Sequence, residues 1–165
     1  MKAIPLTPSV IRHYKNSIEH FFEKNIQDEN FFHPHELSYL GILEEVATNY
    51  KNYYVFFMDE DNILGYGMLR GWEEGYEIPS LGIMVDIAQR GRGISKDIMD
   101  HLENLAQING AKKIRLTVYK ENKKAISLYN KLGYVFIWRN RFVCSKKEKY
   151  SQNNLFKNRF FNRIC

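Results

Sequence analysis

The chain has 165 residues, of which 44% are hydrophobic, 26% charged and 15% aromatic, the balance of one packed domain rather than of a disordered chain. No run approaches the roughly 18 apolar residues of a membrane span, and the N-terminus lacks the apolar core of a secretory signal, so no membrane partner and a cytoplasmic location are expected. Cys144 and Cys165 are the only cysteines, too few for a disulfide framework or a zinc cluster, so no metal is expected. The formal charge of +5 is unevenly spread: residues 1–145 hold 18 Lys/Arg against 18 Asp/Glu, whereas residues 146–165 hold six Lys/Arg against Glu148 alone. The expected organisation is a neutral domain over 1–145 and a basic aromatic tail over 146–165. A basic patch confined to a terminus is thin support for nucleic-acid binding, which is not the expected role.

Lys2 to Leu6 suits a short strand, and Thr7-Pro8 then reads as a helix N-cap followed by proline at the first helical position. Ile11, Tyr14, Ile18, Phe21 and Phe22 form one apolar stripe to about Asn25. Asp28 to His35 breaks the period and carries His33-Pro34-His35, after which Leu37, Leu40, Leu43, Val46 and Ala47 suggest a second helix. Tyr53 to Met58 and Ile63 to Arg70 flank a turn-like Asp59–Asn62, which predicts a hairpin. The loop from Gly71 to Gly75 ends it. Ile78 to Val85 is nearly all apolar after Ser80, as expected for a central strand covered on both faces. A helix follows from Ile94 through Ile98, Leu102, Leu105 and Ala106, with Gly110 as its terminator. Ile114, Leu116 and Val118 alternate as a strand. Another helix runs from about Asn122, with Ala125, Ile126 and Tyr129 inward, to Leu132 and Gly133. Tyr134–Arg139 and Phe142–Ser145 complete the elements as short strands.

The sharpest feature is Arg90-Gly91-Arg92-Gly93-Ile94-Ser95, set between the buried strand and the amphipathic helix. Glycines let the backbone turn tightly, and the free N–H groups with the positive end of the helix dipole make an anion site suited to a pyrophosphate. No Gly-Lys-Ser/Thr closes it, so it is not a Walker loop. The glycine spacing also fails the dinucleotide fingerprint. On these residues alone, an ordinary Gly-rich turn with surface arginines remains the alternative.

A second motif lies on the helix after the next strand: Asn122, Ala125, Tyr129, Gly133 and Tyr134. Together the two motifs resemble the GNAT family of acetyl-coenzyme A dependent N-acetyltransferases. The family's loop, Gln/Arg-x-x-Gly-x-Gly/Ala, is matched by Arg90, Gly93 and, imperfectly, Ser95. Its later helix, Asn-x-x-Ala-x-x-x-Tyr-x-x-x-Gly-Phe/Tyr, is matched at every named position. The resemblance covers about residues 1–140, the first 50 in element order only. The end of the chain departs from it, with a short aromatic segment and a basic tail in place of a long closing hairpin.

The resemblance implies an α/β fold with a mixed, twisted sheet flanked by helices, in which two parallel strands splay apart to form the acetyl-coenzyme A cleft. Met84 and Val85 occupy the strand along which the cofactor's arm lies, and an N–H near Val85 would face the thioester oxygen. The backbone N–H groups of Arg90, Gly91, Arg92, Gly93, Ile94 and Ser95 would hold the pyrophosphate, with Arg92 and Lys96 as charge partners. Asn122 would bind the arm. Tyr129 resembles the family's general acid, whereas its residue pattern alone equally fits a core tyrosine. Glu77, ahead of Glu73 and Glu74, is the preferred general base, the alternative being three exposed loop glutamates without a catalytic role. His33 and His35 sit in the segment that covers the acceptor side. Trp72, with Phe31, Phe32 and Tyr66, is an aromatic candidate for the acceptor pocket. The implied reaction moves an acetyl group from acetyl-coenzyme A to a primary amine of a small polar molecule, with an amino sugar as first guess. A peptide or protein amine, or a catalytically silent coenzyme A-binding module, are the rivals. A homodimer is left open.

Overall fold

The computed structural model describes residues 1–72, 78–137 and 142–146, with side chains as far as Val135. Glu73, Glu74, Tyr76 and Glu77, and the tail beyond Lys146, lie outside the described residues. Strand β1 (Lys2–Pro5) leads to Thr7, whose side chain accepts from the Val10 N–H and opens α1 (Pro8–His13). The single helix expected as far as Asn25 is divided at Tyr14, which has φ −97° and ψ 25° and links α1 to α2 (Lys15–Lys24). The bend leaves Ile11 and Ile18, seven residues apart, both fully buried against the sheet.

A short 3-10 turn (Ile26–Asn30) precedes α3 (Tyr39–Thr48), whose N-cap Ser38 accepts from the Gly41 N–H. The expected apolar stripe of α3 holds in part: Val46 is buried and Leu43 packs against the same cluster, joined by Ile42, while Leu40 is 70% exposed and Ala47 faces solvent. Leu37, from which that stripe was counted, is buried but lies before the helix begins.

Strands β2 (Tyr53–Asp59) and β3 (Asn62–Arg70) form the expected hairpin. Then come β4 (Ser80–Val85), α4 (Ile94–Ile108), β5 (Arg115–Val118), α5 (Lys123–Lys131), β6 (Tyr134–Ile137) and β7 (Phe142–Lys146). The sheet order is β1-β2-β3-β4-β5-β7-β6. Every pairing is antiparallel except β4 with β5, so the sheet is mixed. The closing segment does form two strands, and β7 inserts between β5 and β6.

Strand alternation divides the core into two layers. Val55 and Phe57 of β2 face α4 and α5 with Ile98, Met99, Leu102 and Tyr129. Tyr54, Phe56 and Met58 face α1–α3 with Ile11, Ile18, Phe21 and Ile42. Helix α4 approaches β3 so closely that a Cβ at Gly65 would lie 2.5 Å from the Ile98 Cδ1 and 3.1 Å from the Met84 carbonyl. Glycine there lets the helix sit against the strand end that leads to the loop.

Candidate acetyl-coenzyme A and acceptor site

Strands β4 and β5 share one ladder position, Ser80 opposite Arg115, where the Arg115 N–H donates to the Pro79 carbonyl at 3.0 Å. No ladder pair joins them beyond it. On its other edge β4 stays paired with β3 along its whole length, from Arg70 opposite Ser80 to Gly65 opposite Val85. The two parallel strands thus open as a wedge toward their C-terminal ends.

Hydrogen-bond parity decides which backbone groups face this wedge. The Asp86 N–H donates to the Leu64 carbonyl at 3.0 Å, so even-numbered residues of β4 bond to β3 and odd-numbered residues direct their N–H and C=O toward β5. Pro79 fits the same parity. The polar backbone groups of Ile83 and Val85 therefore border the wedge, while those of Met84 are turned to β3. Of the two strand residues singled out from the sequence, Val85 presents its backbone to the cleft. Met84 packs its side chain into the α1–α3 layer.

The wedge leads to the loop between β4 and α4. Gly91 and Gly93 have φ of 80° and 86°, and a Cβ at either would meet nothing within 4 Å. The left-handed backbone, rather than lack of space, requires glycine at both. Gly93 is the N-cap of the 15-residue α4, so the first N–H groups of that helix open onto the loop. Ile94 is buried in the core and Ser95 half-buried. Arg92 donates to the Gln89 Oε1 at 2.6 Å. Lys96 pairs with Asp100 at 2.6 Å, and that hydrogen bond raises its pKa. Arg90 turns back from the loop, donating through Nε to the Val85 carbonyl at 3.2 Å and pairing with Asp28.

Across the wedge, Asn122 is the N-cap of α5, and its Oδ1 accepts from the Ala125 N–H at 3.1 Å. The oxygen is committed to the helix, which leaves the amide N–H groups as its means of donating to a ligand. Tyr129 is 7% exposed and shares the apolar cluster of Val85 and Ile94, its ring 5.8 Å from that of Tyr134.

On the opposite face, the segment between α2 and α3 covers the sheet. His33 donates through Nδ1 to the Glu29 carbonyl (3.1 Å), and its Nε2 accepts from the Tyr119 hydroxyl at 3.1 Å. His35 is held more tightly: Nδ1 donates to the Glu36 carbonyl at 2.7 Å and Nε2 accepts from the Tyr66 hydroxyl at 2.9 Å. Burial lowers the pKa of His35 and raises that of Tyr66, which suits this neutral arrangement. Beside them Arg70 donates to the Pro34 carbonyl at 2.6 Å and pairs with Glu45, which accepts from the Tyr54 hydroxyl at 2.6 Å. Phe32 packs edge-on against Tyr66. Trp72 is on the other face at the far end of β4, edge-on to Tyr53 at 5.4 Å. The aromatic set named from the sequence is therefore divided between the two layers.

Sequence reasoning missed Lys24, Asn25, Asp28 and Asp86. Lys24 pairs with Asp86 at 2.9 Å, the Asn25 Oδ1 accepts from the Ile87 N–H at 2.8 Å, and Asp28 pairs with Arg90. Asn25 and Asp86 are buried polar residues, a cost that hydrogen bonding must offset. The available signals were a polar residue ending an apolar helical stripe and an acid directly after a buried strand.

A splayed parallel pair, a glycine loop opening a long helix and a capping asparagine across the gap are thus brought to one end of the sheet. Residues 17–134 match the acetyltransferase (GNAT) family. The chain belongs to that family. No curated relative matches the sequence. Among solved structures, smu.2055 from Streptococcus mutans is 20% identical, with a TM-score of 0.68 over 88% of this chain and 98% of that one. A ribosomal-protein-S5-alanine acetyltransferase from Vibrio fischeri is 16% identical, with a TM-score of 0.67 over 87% and 91%. The paia N-acetyltransferase from Thermoplasma acidophilum, solved with coenzyme A, is also 16% identical, with a TM-score of 0.62 over 89% and 99%. These likenesses show the GNAT fold. As a member of the family the chain is an acyltransferase, and among the described residues no helix is long and apolar enough to cross a membrane.

Proposed function

We propose that this GNAT acyltransferase moves an acetyl group from acetyl-coenzyme A to a primary amine of a small polar molecule, with an amino sugar as the first acceptor to test. The observation that carries this reading is the wedge beside β4, where the polar backbone of Ile83 and Val85 borders a gap ending at the Gly91–Gly93 loop. A linear arm with amide groups could add there as a strand would, with its phosphates at the start of α4.

Bound in this way, acetyl-coenzyme A would supply an activated thioester carbonyl. Val85 contributes a fixed N–H donor toward the carbonyl oxygen, the kind of group whose removal typically costs about 10²- to 10³-fold in turnover. The backbone from Arg90 to Ser95, with Arg92 and Lys96, holds the phosphates, and the Asn122 amide orients the arm. Tyr129 keeps its hydroxyl proton for the departing sulfur. The incoming ammonium must lose a proton before it can attack, and Glu77 is the base we assign. His33 and His35 belong to the acceptor-side segment, where His33 is the more exposed of the two.

The test is thiol release from acetyl-coenzyme A across amino sugars, their nucleotide conjugates, amino acids, polyamines, aminoglycosides and basic peptides. One preferred small amine is the expected result, and preference for peptides would transfer the assignment to a protein amine. Silence across the panel, with acetyl-coenzyme A binding intact, would leave either an acceptor outside the panel or a coenzyme A-binding module. Tyr129→Phe is expected to lower kcat by at least about tenfold with donor affinity retained; equal turnover would remove Tyr129 from the mechanism.

A further inference from the structure

The three contacts that sequence reasoning missed share one spacing. Lys24 meets Asp86, Asn25 meets Ile87 and Asp28 meets Arg90, each pair 62 residues apart. Two segments therefore run side by side in register: the end of α2 with the turn after it, and the stretch that leads from β4 into the glycine loop. All three ties are made by side chains. Asn25, fully buried, also donates to the Phe21 carbonyl at 2.7 Å, so it joins the last turn of α2 to the loop with both ends of its amide.

The same segment has a second attachment. His33 accepts from Tyr119, the residue after β5, and Phe31 packs on the Tyr119 ring. Residues 24–33 are thus fastened to the loop that follows β4 at one end and to the loop that follows β5 at the other. These loops are the two lips of the wedge.

We propose that residues 24–33 form a strap that couples the two substrate sites, with Lys24, Asn25, Asp28 and Tyr119 as positioning residues. The inference rests on the proposed acetyl-coenzyme A site and adds its control from the acceptor-side layer. A ligand held by the loop and by Asn122 fixes the separation of the lips, and fixing the lips orders the strap that carries Phe31, Phe32 and His33. Linkage is reciprocal: whatever orders the strap tightens the ligand, and loosening a tie weakens it. The Asp28 carboxylate makes a charge-assisted bond to Arg90, stronger than a neutral one.

The experiment is amide hydrogen exchange on the full chain with and without acetyl-coenzyme A, alongside calorimetric binding of the same ligand. Acetyl-coenzyme A is expected to slow exchange across residues 26–33 as well as in the glycine loop. In Asp28→Asn and in Tyr119→Phe the slowing over 26–33 is lost, and the Kd rises by about fivefold or more, the scale of one ordinary hydrogen bond. Asp28→Glu restores both. A tie serving structure alone would lower thermal stability without giving ligand-dependent protection. Binding to the wild-type chain with unchanged exchange over 26–33 overturns the strap, as does unaltered affinity in both variants. Absence of binding to the wild-type chain would instead remove the acetyl-coenzyme A site, and the strap with it. Should Asp28→Asn fail to fold, Tyr119→Phe, at an exposed position, reads the same coupling.

Discussion

His35 is fixed by two partners that demand opposite roles of its ring. The Glu36 carbonyl can only accept, so Nδ1 carries the proton, and Nε2 then takes the hydrogen of the Tyr66 hydroxyl. A second proton would oppose that bond inside a desolvated layer near Arg70, and burial accordingly lowers the pKa below 6.5. The unfolded chain takes up a proton near 6.5 while the folded chain resists it, so the stabilisation is complete above that pH. It is lost as pH falls toward the lower folded value. His35→Gln is expected to flatten the drop in Tm between about pH 7.5 and 5.5, measured by thermal denaturation; an unchanged slope would mean that His35 does not titrate against folding. His35 and His33 were legible as a pair flanking Pro34, but not their separation into a half-buried anchor and an exposed strap residue. That depends on Tyr66 and Tyr119, which are 31 and 86 residues away in sequence.

Among the elements, those with a strong period and a chemical stop were legible to within a residue or two. Helix α4 shows its stripe, its glycine start and Gly110 at φ 81°. The hairpin of β2 and β3 shows its turn. The stripe of α3 was legible at Leu43 and Val46 but not at Leu40, which is exposed, or at Ile42, which is buried; Leu37 is buried yet precedes the helix, and periodicity cannot tell a helical residue from a loop residue that enters the core. The tie between α2 and the loop was invisible for a related reason, since no local pattern pairs Asn25 with Ile87. Removing it tests the elements directly. Asn25→Ala leaves the Ile87 N–H and Phe21 carbonyl without their bonds, and is expected to cost about 1–3 kcal/mol in chemical denaturation. Gly65→Ala forces a methyl against Ile98 and is expected to cost a similar ~1–3 kcal/mol by overpacking. A loss below measurement error in either variant would show that α2 or α4 can shift without penalty.

For the molecule as a whole, the sheet serves as a frame that opens at one place. Six strand pairings are made among the described residues, and of these the parallel one between β4 and β5 gives way after a single position. Everything assigned to cofactor handling borders that opening: Val85 on one side, the glycine loop at its end, and Asn122 and Tyr129 on the helix beyond. The family was legible in two motifs because glycines with left-handed backbone and a capping asparagine are demanded locally, whatever surrounds them. The wedge itself was not, since strand divergence has no sequence period; it was reached only through the resemblance. The acetyl-coenzyme A site is tested by a calorimetric titration of that ligand into the wild-type chain and into Gly93→Val, which places a β-branched residue at φ 86° in the loop. Saturable binding of one ligand per chain is expected, weakened about fivefold or more by the substitution, in keeping with a left-handed penalty of roughly 1–2 kcal/mol for an ordinary residue. No saturable binding, or equal affinity in the two proteins, would contradict that site.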